Sequence, residues 1–138
     1  MHPVKHLFLA IVLLVSSTKI LYANHTGEGT VAGLSRATQQ LVQIVNYSPL
    51  KYEVKSAVYR FSYDVQYLAQ CVGGCRLDGD TTDNHSVGGV PAACYRYFQR
   101  AQASWRPVNY YLYDTYYDLP QVYRAYVEVR EELEALGG

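Results

Sequence analysis

The strongest helix signal in the sequence lies in residues 49–71, PLKYEVKSAVYRFSYDVQYLAQC. Its apolar residues are separated alternately by four and three positions, so they fall on one face of a helix. These residues are Val54, Val58, Phe61, Val65 and Leu68. The segment is therefore predicted to form an amphipathic helix with one buried face, here numbered helix 2.

The ends of helix 2 are predicted from local backbone chemistry. Ser48 is a favourable N-cap, and Pro49 fits the first helical position. Gly73 and Gly74 can adopt the left-handed conformation that ends many helices. Helix 2 is therefore predicted to run from Pro49 to about Cys71.

The same spacing of apolar residues recurs in three other segments. Helix 1 is predicted over Thr30–Asn46, helix 3 over about Pro91–Thr115, and helix 4 from an N-cap at Asp118 to Leu136. The apolar positions of helix 3 stay in phase through Pro107. A proline inside a helix removes one hydrogen bond and clashes with an earlier carbonyl, so a kink or a short break is expected near Pro107.

Residues 73–90 are rich in glycine and aspartate, which favour turns and bury little apolar surface. They are predicted to form one long loop between helices 2 and 3. Four amphipathic helices with two tight connections and one long loop predict an all-α fold, an up-and-down four-helix bundle. A hydrophobic fraction of 49% is enough for one such domain over residues 24–138.

Residues 1–23 are interpreted as a cleavable signal peptide. Lys5 gives a basic start, the apolar run 7–15 follows, and Ala23 supplies a small residue at the cleavage position. The apolar run is too short to span a bilayer. We therefore expect a periplasmic or secreted protein that is not inserted in a membrane after cleavage.

The charge of the chain argues against nucleic-acid binding. The sequence has 12 basic and 12 acidic residues, and cleavage would remove Lys5 and Lys19 but no acid. The arginines are dispersed among tyrosines and acids, so no basic patch is available to bind phosphates.

Candidate catalytic and haem-binding groups are sparse. Only His25 and His85 remain after residue 23, and both lie in predicted loops. A nucleophile with an oriented base is difficult to build from them. The outline is similar to small periplasmic bundles such as the b-type and c-prime cytochromes, but their haem ligands are missing. The sequence therefore predicts a protein that is not an enzyme and binds no cofactor.

The long loop contains one weak candidate for a metal site. Asp78, Asp80 and Asp83, with Asn84, place oxygen atoms of the kind that bind calcium in a short segment. The spacing does not match an EF-hand, since the required glycine and final glutamate are missing. A solvated turn is the alternative interpretation.

Tyrosine is the outlier in the composition, with 15 residues. Tyr59, Tyr63 and Tyr67 recur every four positions on helix 2, and a second group lies near the end of helix 3. The rings could pack in or beside the core, or could form a recognition surface, because tyrosine gives rigid contact area at low entropic cost. We predict a surface for a protein partner at Tyr59, Tyr63 and Tyr67. The alternatives are a small-ligand or calcium carrier and an unrecognised enzyme.

The three cysteines predict one disulfide if the chain is exported. Cys71 ends the apolar stripe of helix 2 and Cys94 opens that of helix 3, so antiparallel packing would bring the two together. Cys75 follows a flexible glycine pair and could reach either of the others. The expected pairing is Cys71–Cys94, with Cys75–Cys94 second and Cys71–Cys75 third.

Overall fold

A computed structural model describes residues 29–77 and 89–137. It contains four α-helices: α1 Val31–Asn46, α2 Tyr52–Leu77, α3 Tyr95–Leu112 and α4 Pro120–Ala135. A 3₁₀ turn over Ala92–Cys94 precedes α3. There is no β-strand in the described ranges, which confirms the predicted all-α class for this part of the chain.

Helix α1 matches the prediction closely. Thr30 is its N-cap, and the Thr30 Oγ1 atom accepts a hydrogen bond of 3.0 Å from the backbone N–H of Gly33. A side-chain oxygen at this position satisfies a backbone donor that has no partner inside the helix. The helix ends at Asn46, as expected.

The start of α2 differs from the prediction. Ser48 does not cap α2; its hydroxyl donates a 2.6 Å hydrogen bond to the carbonyl oxygen of Val45 and so closes the end of α1. The helix begins at Tyr52, so Pro49 belongs to the turn that precedes it. Ser48 and Pro49 are residue types that favour the start of a helix, but both lie in the turn that precedes α2.

The end of α2 also differs. The helix continues through Gly73 and Gly74 to Leu77, and neither glycine has a positive φ. Glycine permits the left-handed conformation but does not require it, so the predicted end at Cys71 was wrong. The predicted glycine and aspartate loop is shortened at its start, and residues 78–88 lie outside the described residues.

Helix α3 is continuous through Pro107, so the alternative of a short break was wrong. The helix ends at Leu112, and Thr115 lies in the following turn, where its hydroxyl donates a 2.7 Å hydrogen bond to the Leu112 carbonyl. Helix α4 begins at Pro120 with Leu119 as the N-cap. The predicted cap at Asp118 was therefore wrong by one residue.

The predicted apolar stripes form the core of a bundle-like structure. Helix α1 packs against α2 and α4, and α3 packs against the same two helices. All five stripe residues of α2 are buried, as are the residues at the same spacing from Phe98 to Leu112 and from Val122 to Leu136. The exception is Ile44 of α1, which is partly buried, while the adjacent Val45 takes the core position. Hydrophobic burial along these faces is the main stabilising force.

Gly89 marks a close approach between the start of α1 and the end of α4. Its φ is +84°, in the region that favours glycine. A Cβ atom at this position would lie 2.8 Å from the carbonyl oxygen of Gly29 and 3.6 Å from Cδ2 of Leu136. The backbone can therefore pass between these two residues only because position 89 has no side chain.

Candidate functional site

The tyrosines lie mainly on the surface. Among the described residues only Tyr126 is buried, and ten tyrosines are exposed. The exposed residues are Tyr47, Tyr52, Tyr59, Tyr63, Tyr67, Tyr95, Tyr110, Tyr113, Tyr116 and Tyr117. Contiguous exposed aromatic rings are a feature of interaction sites, since an isolated domain gains little from leaving them in water.

The predicted binding residues of α2 share one exposed face. Tyr59, Tyr63 and Tyr67 are 39%, 62% and 55% exposed. The Tyr59 hydroxyl donates a hydrogen bond to Oδ1 of Asn46 and so links α2 to the end of α1. Tyr63 and Tyr67 are therefore the rings most free to contact another molecule, whereas Tyr59 also has a structural role.

A second group of exposed rings surrounds the turns that join α1 to α2 and α3 to α4. We call this group the tyrosine end; it consists of Tyr47, Tyr52, Tyr110, Tyr113, Tyr116 and Tyr117. Tyr47, Tyr52 and Tyr117 are the three most exposed large hydrophobic residues described, at 92%, 83% and 88%. Sequence analysis identified the group near the end of α3 but missed Tyr47 and Tyr52. Their positions at the two ends of the first turn could have indicated that both rings are exposed.

A groove of about 610 Å³ has one of these rings, Tyr47, in its wall. It lies between the end of α1 and the start of α4. Its walls include Ile44, Tyr47, Leu119 and Pro120, and Asp118 is a polar residue of the lining. Because Tyr47 belongs to the connection from α1 to α2 and Asp118 to that from α3 to α4, the groove lies between these two connections.

A series of stacked, tilted and edge-to-face rings connects the core to the tyrosine end. Successive ring centroids are 5.0, 5.5, 5.7, 5.2 and 4.9 Å apart along Phe61, Trp105, Tyr126, Tyr123, Tyr116 and Tyr117. The buried Tyr126 hydroxyl donates a hydrogen bond to Oδ1 of Asn109. Contacts at these distances are favourable for aromatic pairs, so the surface ring of Tyr116 is held by the packed interior.

Partial burial raises the pKa of the Glu128 carboxyl group on α4. The nearby charge of Glu131 raises this pKa further, Arg124 lowers it, and Glu132 raises it. The ionised form of Glu128 is therefore less favourable in the folded protein than in the unfolded chain. Stability is lost as the pH rises from the ordinary glutamate pKa of about 4.5 through the higher folded value.

Glu128→Gln should therefore raise the melting temperature at pH 7, because it removes the unfavourable charge. At pH 3, where the carboxyl group is protonated in both states, the two proteins should melt together. Thermal unfolding followed by circular dichroism at the two pH values measures the difference. A variant that melts lower than the natural protein at pH 7 would contradict this prediction.

The structure places Cys71 and Cys94 in disulfide geometry, with their Cα atoms 5.8 Å apart. Cys94 is buried and Cys71 is partly buried at the junction of α2 and α3. The backbone of Cys75 lies in α2, one turn beyond Cys71. The first-ranked pair is therefore the pair that the fold brings together.

The calcium candidate falls outside the described residues, as Asp78, Asp80 and Asp83 lie between them. Within residues 29–77 and 89–137, no group of three or more His, Cys, Asp or Glu residues could hold a metal ion. In the same two ranges, no helix combines the length and the hydropathy needed to span a bilayer.

No protein-family model matches the chain, and no match was found among curated proteins or among solved structures. The function must therefore be inferred from the exposed rings, the groove and the paired cysteines themselves.

Proposed function

We propose that this chain is an exported, non-catalytic binding protein that meets a protein partner through Tyr59, Tyr63 and Tyr67. The observation that carries the proposal is their common exposed face on α2, opposite a complete apolar stripe. The rings of Tyr63 and Tyr67 lie outside the core, so the regular spacing of the three tyrosines is best explained by contact with another molecule. Tyrosine is enriched at protein interfaces because it offers a large, rigid contact and one hydroxyl group.

The bundle is proposed to have up-and-down topology, with α3 bent near Pro107. The short connections over residues 47–51 and 113–119 support the alternating direction, because neighbouring antiparallel helices need only tight turns. The packing of each helix against two others supports the same arrangement. The bend is supported by the hydrogen bond that Pro107 cannot donate within α3.

Export to the periplasm or beyond the cell is proposed from two independent observations. The first is the pattern of a signal peptide in residues 1–23. The second is the approach of Cys71 and Cys94, since a disulfide persists in an oxidising compartment and is rare in the cytosol. The balanced charge supports a protein partner rather than a nucleic acid.

Native mass spectrometry of protein isolated from its own source tests the proposal. We expect a complex with a second protein that is retained by the natural chain. Replacing Tyr63 and Tyr67 by serine should weaken that complex at least tenfold, since tyrosine is enriched among the few interface residues whose truncation costs more than about 1 kcal/mol. A retained small molecule with no partner protein would instead support a carrier function.

The stability of the variants separates binding from folding. Tyr63→Ser with Tyr67→Ser should leave the melting temperature nearly unchanged, because both rings are exposed. Adding Tyr59→Ser should lower it by a few degrees, since the hydrogen bond to Asn46 is lost, at a cost of about 1 kcal/mol. A large loss of stability in the double variant would show that these rings belong to the core.

A further inference from the structure

We propose that the tyrosine end is the interface of a symmetric dimer formed by two copies of this chain. This interface is separate from the face of α2 that carries Tyr63 and Tyr67. The inference rests on three properties of the tyrosine end: its exposed aromatic area, its groove and the distribution of its charges.

The exposed area is of the size that a dimer needs. All six tyrosines of the tyrosine end are more than half exposed. A tyrosine can bury about 150–250 Å² of surface, and a stable interface buries about 800 Å² on each partner. The six rings, with the walls of the groove, therefore supply most of the apolar centre of a standard interface.

The groove gives the surface a recess between projecting rings. Ile44, Leu119 and Pro120 form apolar parts of its walls, while Tyr47 stands almost wholly exposed at its side. Tyr117 lies next to Asp118, another lining residue, and is also nearly fully exposed. A surface that carries both projecting rings and a recess can receive the rings of a second copy of itself.

The charges at the tyrosine end are divided between its two turns. The α1–α2 side carries Lys51 and Lys55, together with Glu53, and its net charge is positive. The turn over residues 113–119, between α3 and α4, carries the exposed acids Asp114 and Asp118 and no basic residue. Lys55 also donates a 3.3 Å hydrogen bond to the carbonyl oxygen of Asn46, which holds its ammonium group near the first turn.

A two-fold axis through the tyrosine end can bring the basic turn of each chain opposite the acidic turn of the other. In a symmetric dimer the same patch meets itself, so each contact occurs twice and the patch must complement itself. Rotation of one copy by half a turn sets the basic side of each chain against the acidic side of the other. Like charges would face each other about a two-fold axis parallel to the line between the two turns, so the charges select the axis perpendicular to that line.

Sedimentation equilibrium of the purified protein tests the proposal directly. We expect a reversible dimer that is populated at a concentration of about 100 µM and dissociates on dilution. Raising the salt concentration from 0.05 to 0.5 M should weaken it several-fold, since ions screen the exposed charges. A monomer over the whole range up to about 1 mM would overturn the proposal.

Charge reversal identifies the surface. Lys51→Glu and Asp114→Lys should each weaken the dimer about tenfold, because symmetry places every substitution in the interface twice. Both substitutions are mild for the fold: a negative charge at the start of α2 and a positive charge after the end of α3 each match the helix dipole. Equal melting temperatures would confirm that neither variant loses its fold.

A mixture of the two variants gives the decisive result. Every contact between positions 51 and 114 of a Lys51→Glu chain and an Asp114→Lys chain pairs opposite charges. The mixture should therefore form a heterodimer at a concentration where each variant alone is monomeric. If the mixture stays monomeric, or if the single substitutions leave the natural dimer unchanged, the proposed interface is wrong.

Serine substitutions distinguish this interface from the proposed partner surface. Tyr117→Ser should weaken the dimer about tenfold, whereas the matched control Tyr63→Ser should leave it unchanged. For binding of a partner protein to α2, Tyr63→Ser should weaken the complex and Tyr117→Ser should leave it unchanged. An equal effect of both substitutions on dimerisation, or a small molecule retained in the groove in place of a second chain, would overturn the assignment.

Discussion

Replacing Trp105 by alanine is expected to lower the free energy of unfolding by about 3–5 kcal/mol. Trp105 is only 8% exposed, and its ring stacks on Tyr126 at 5.5 Å and packs against Phe61 at 5.0 Å. Removing the indole leaves a cavity bounded by three helices, which a close-packed interior can fill only in part. Urea unfolding followed by circular dichroism measures the loss, because the variant has no tryptophan fluorescence.

Tyr110→Ala is the matched control for this substitution. Tyr110 lies on the same helix but is 72% exposed, so its loss should change the free energy of unfolding by less than about 0.5 kcal/mol. If both variants lose the same stability, the core is not centred on Trp105 and the packing described above is wrong.

Replacing Cys71 and Cys94 together by alanine is expected to cost about 3 kcal/mol in the chain-entropy model. The two residues are 23 positions apart, so a bond between them restrains a sizeable loop of the unfolded chain. Reduction of the natural protein should lower its melting temperature, and the double variant should not respond to reducing agent.

Peptide mapping under non-reducing conditions checks the pairing itself. Cys75→Ala should retain the link between Cys71 and Cys94 and should lose one free thiol. If Cys75→Ala releases a second thiol and destabilises the fold as much as the double variant, Cys75 is a member of the bond and the assigned pair is incorrect.

The helical core could be predicted from the sequence because hydrophobic periodicity is a local property. Val58, Phe61 and Val65 occupy buried positions of α2 that their spacing alone identifies. Helix ends were less predictable, because several residues can satisfy the same backbone groups. Ser48 closes the end of α1 although it is equally suited to begin α2, and only the position of Val45 decides between the two.

The groove could not have been predicted from local patterns. Ile44 and Leu119 are more than seventy positions apart, and no local pattern relates one to the other. Their meeting depends on how α1 packs against α4, which is a property of the whole fold. The exposure of Tyr47 and Tyr52 has the same origin, since a ring beside a turn is buried only when another element covers it.

The close passage at Gly89 has a consequence for the connectivity of the domain. Gly29, which precedes α1, and Leu136, which follows α4, both lie within contact distance of a side chain built at position 89. The two boundaries of the helical domain are therefore neighbours in space. A short linker could join them and new termini could be opened in the turn over residues 113–119, which would give a circularly permuted chain in which all four helices keep their packing partners.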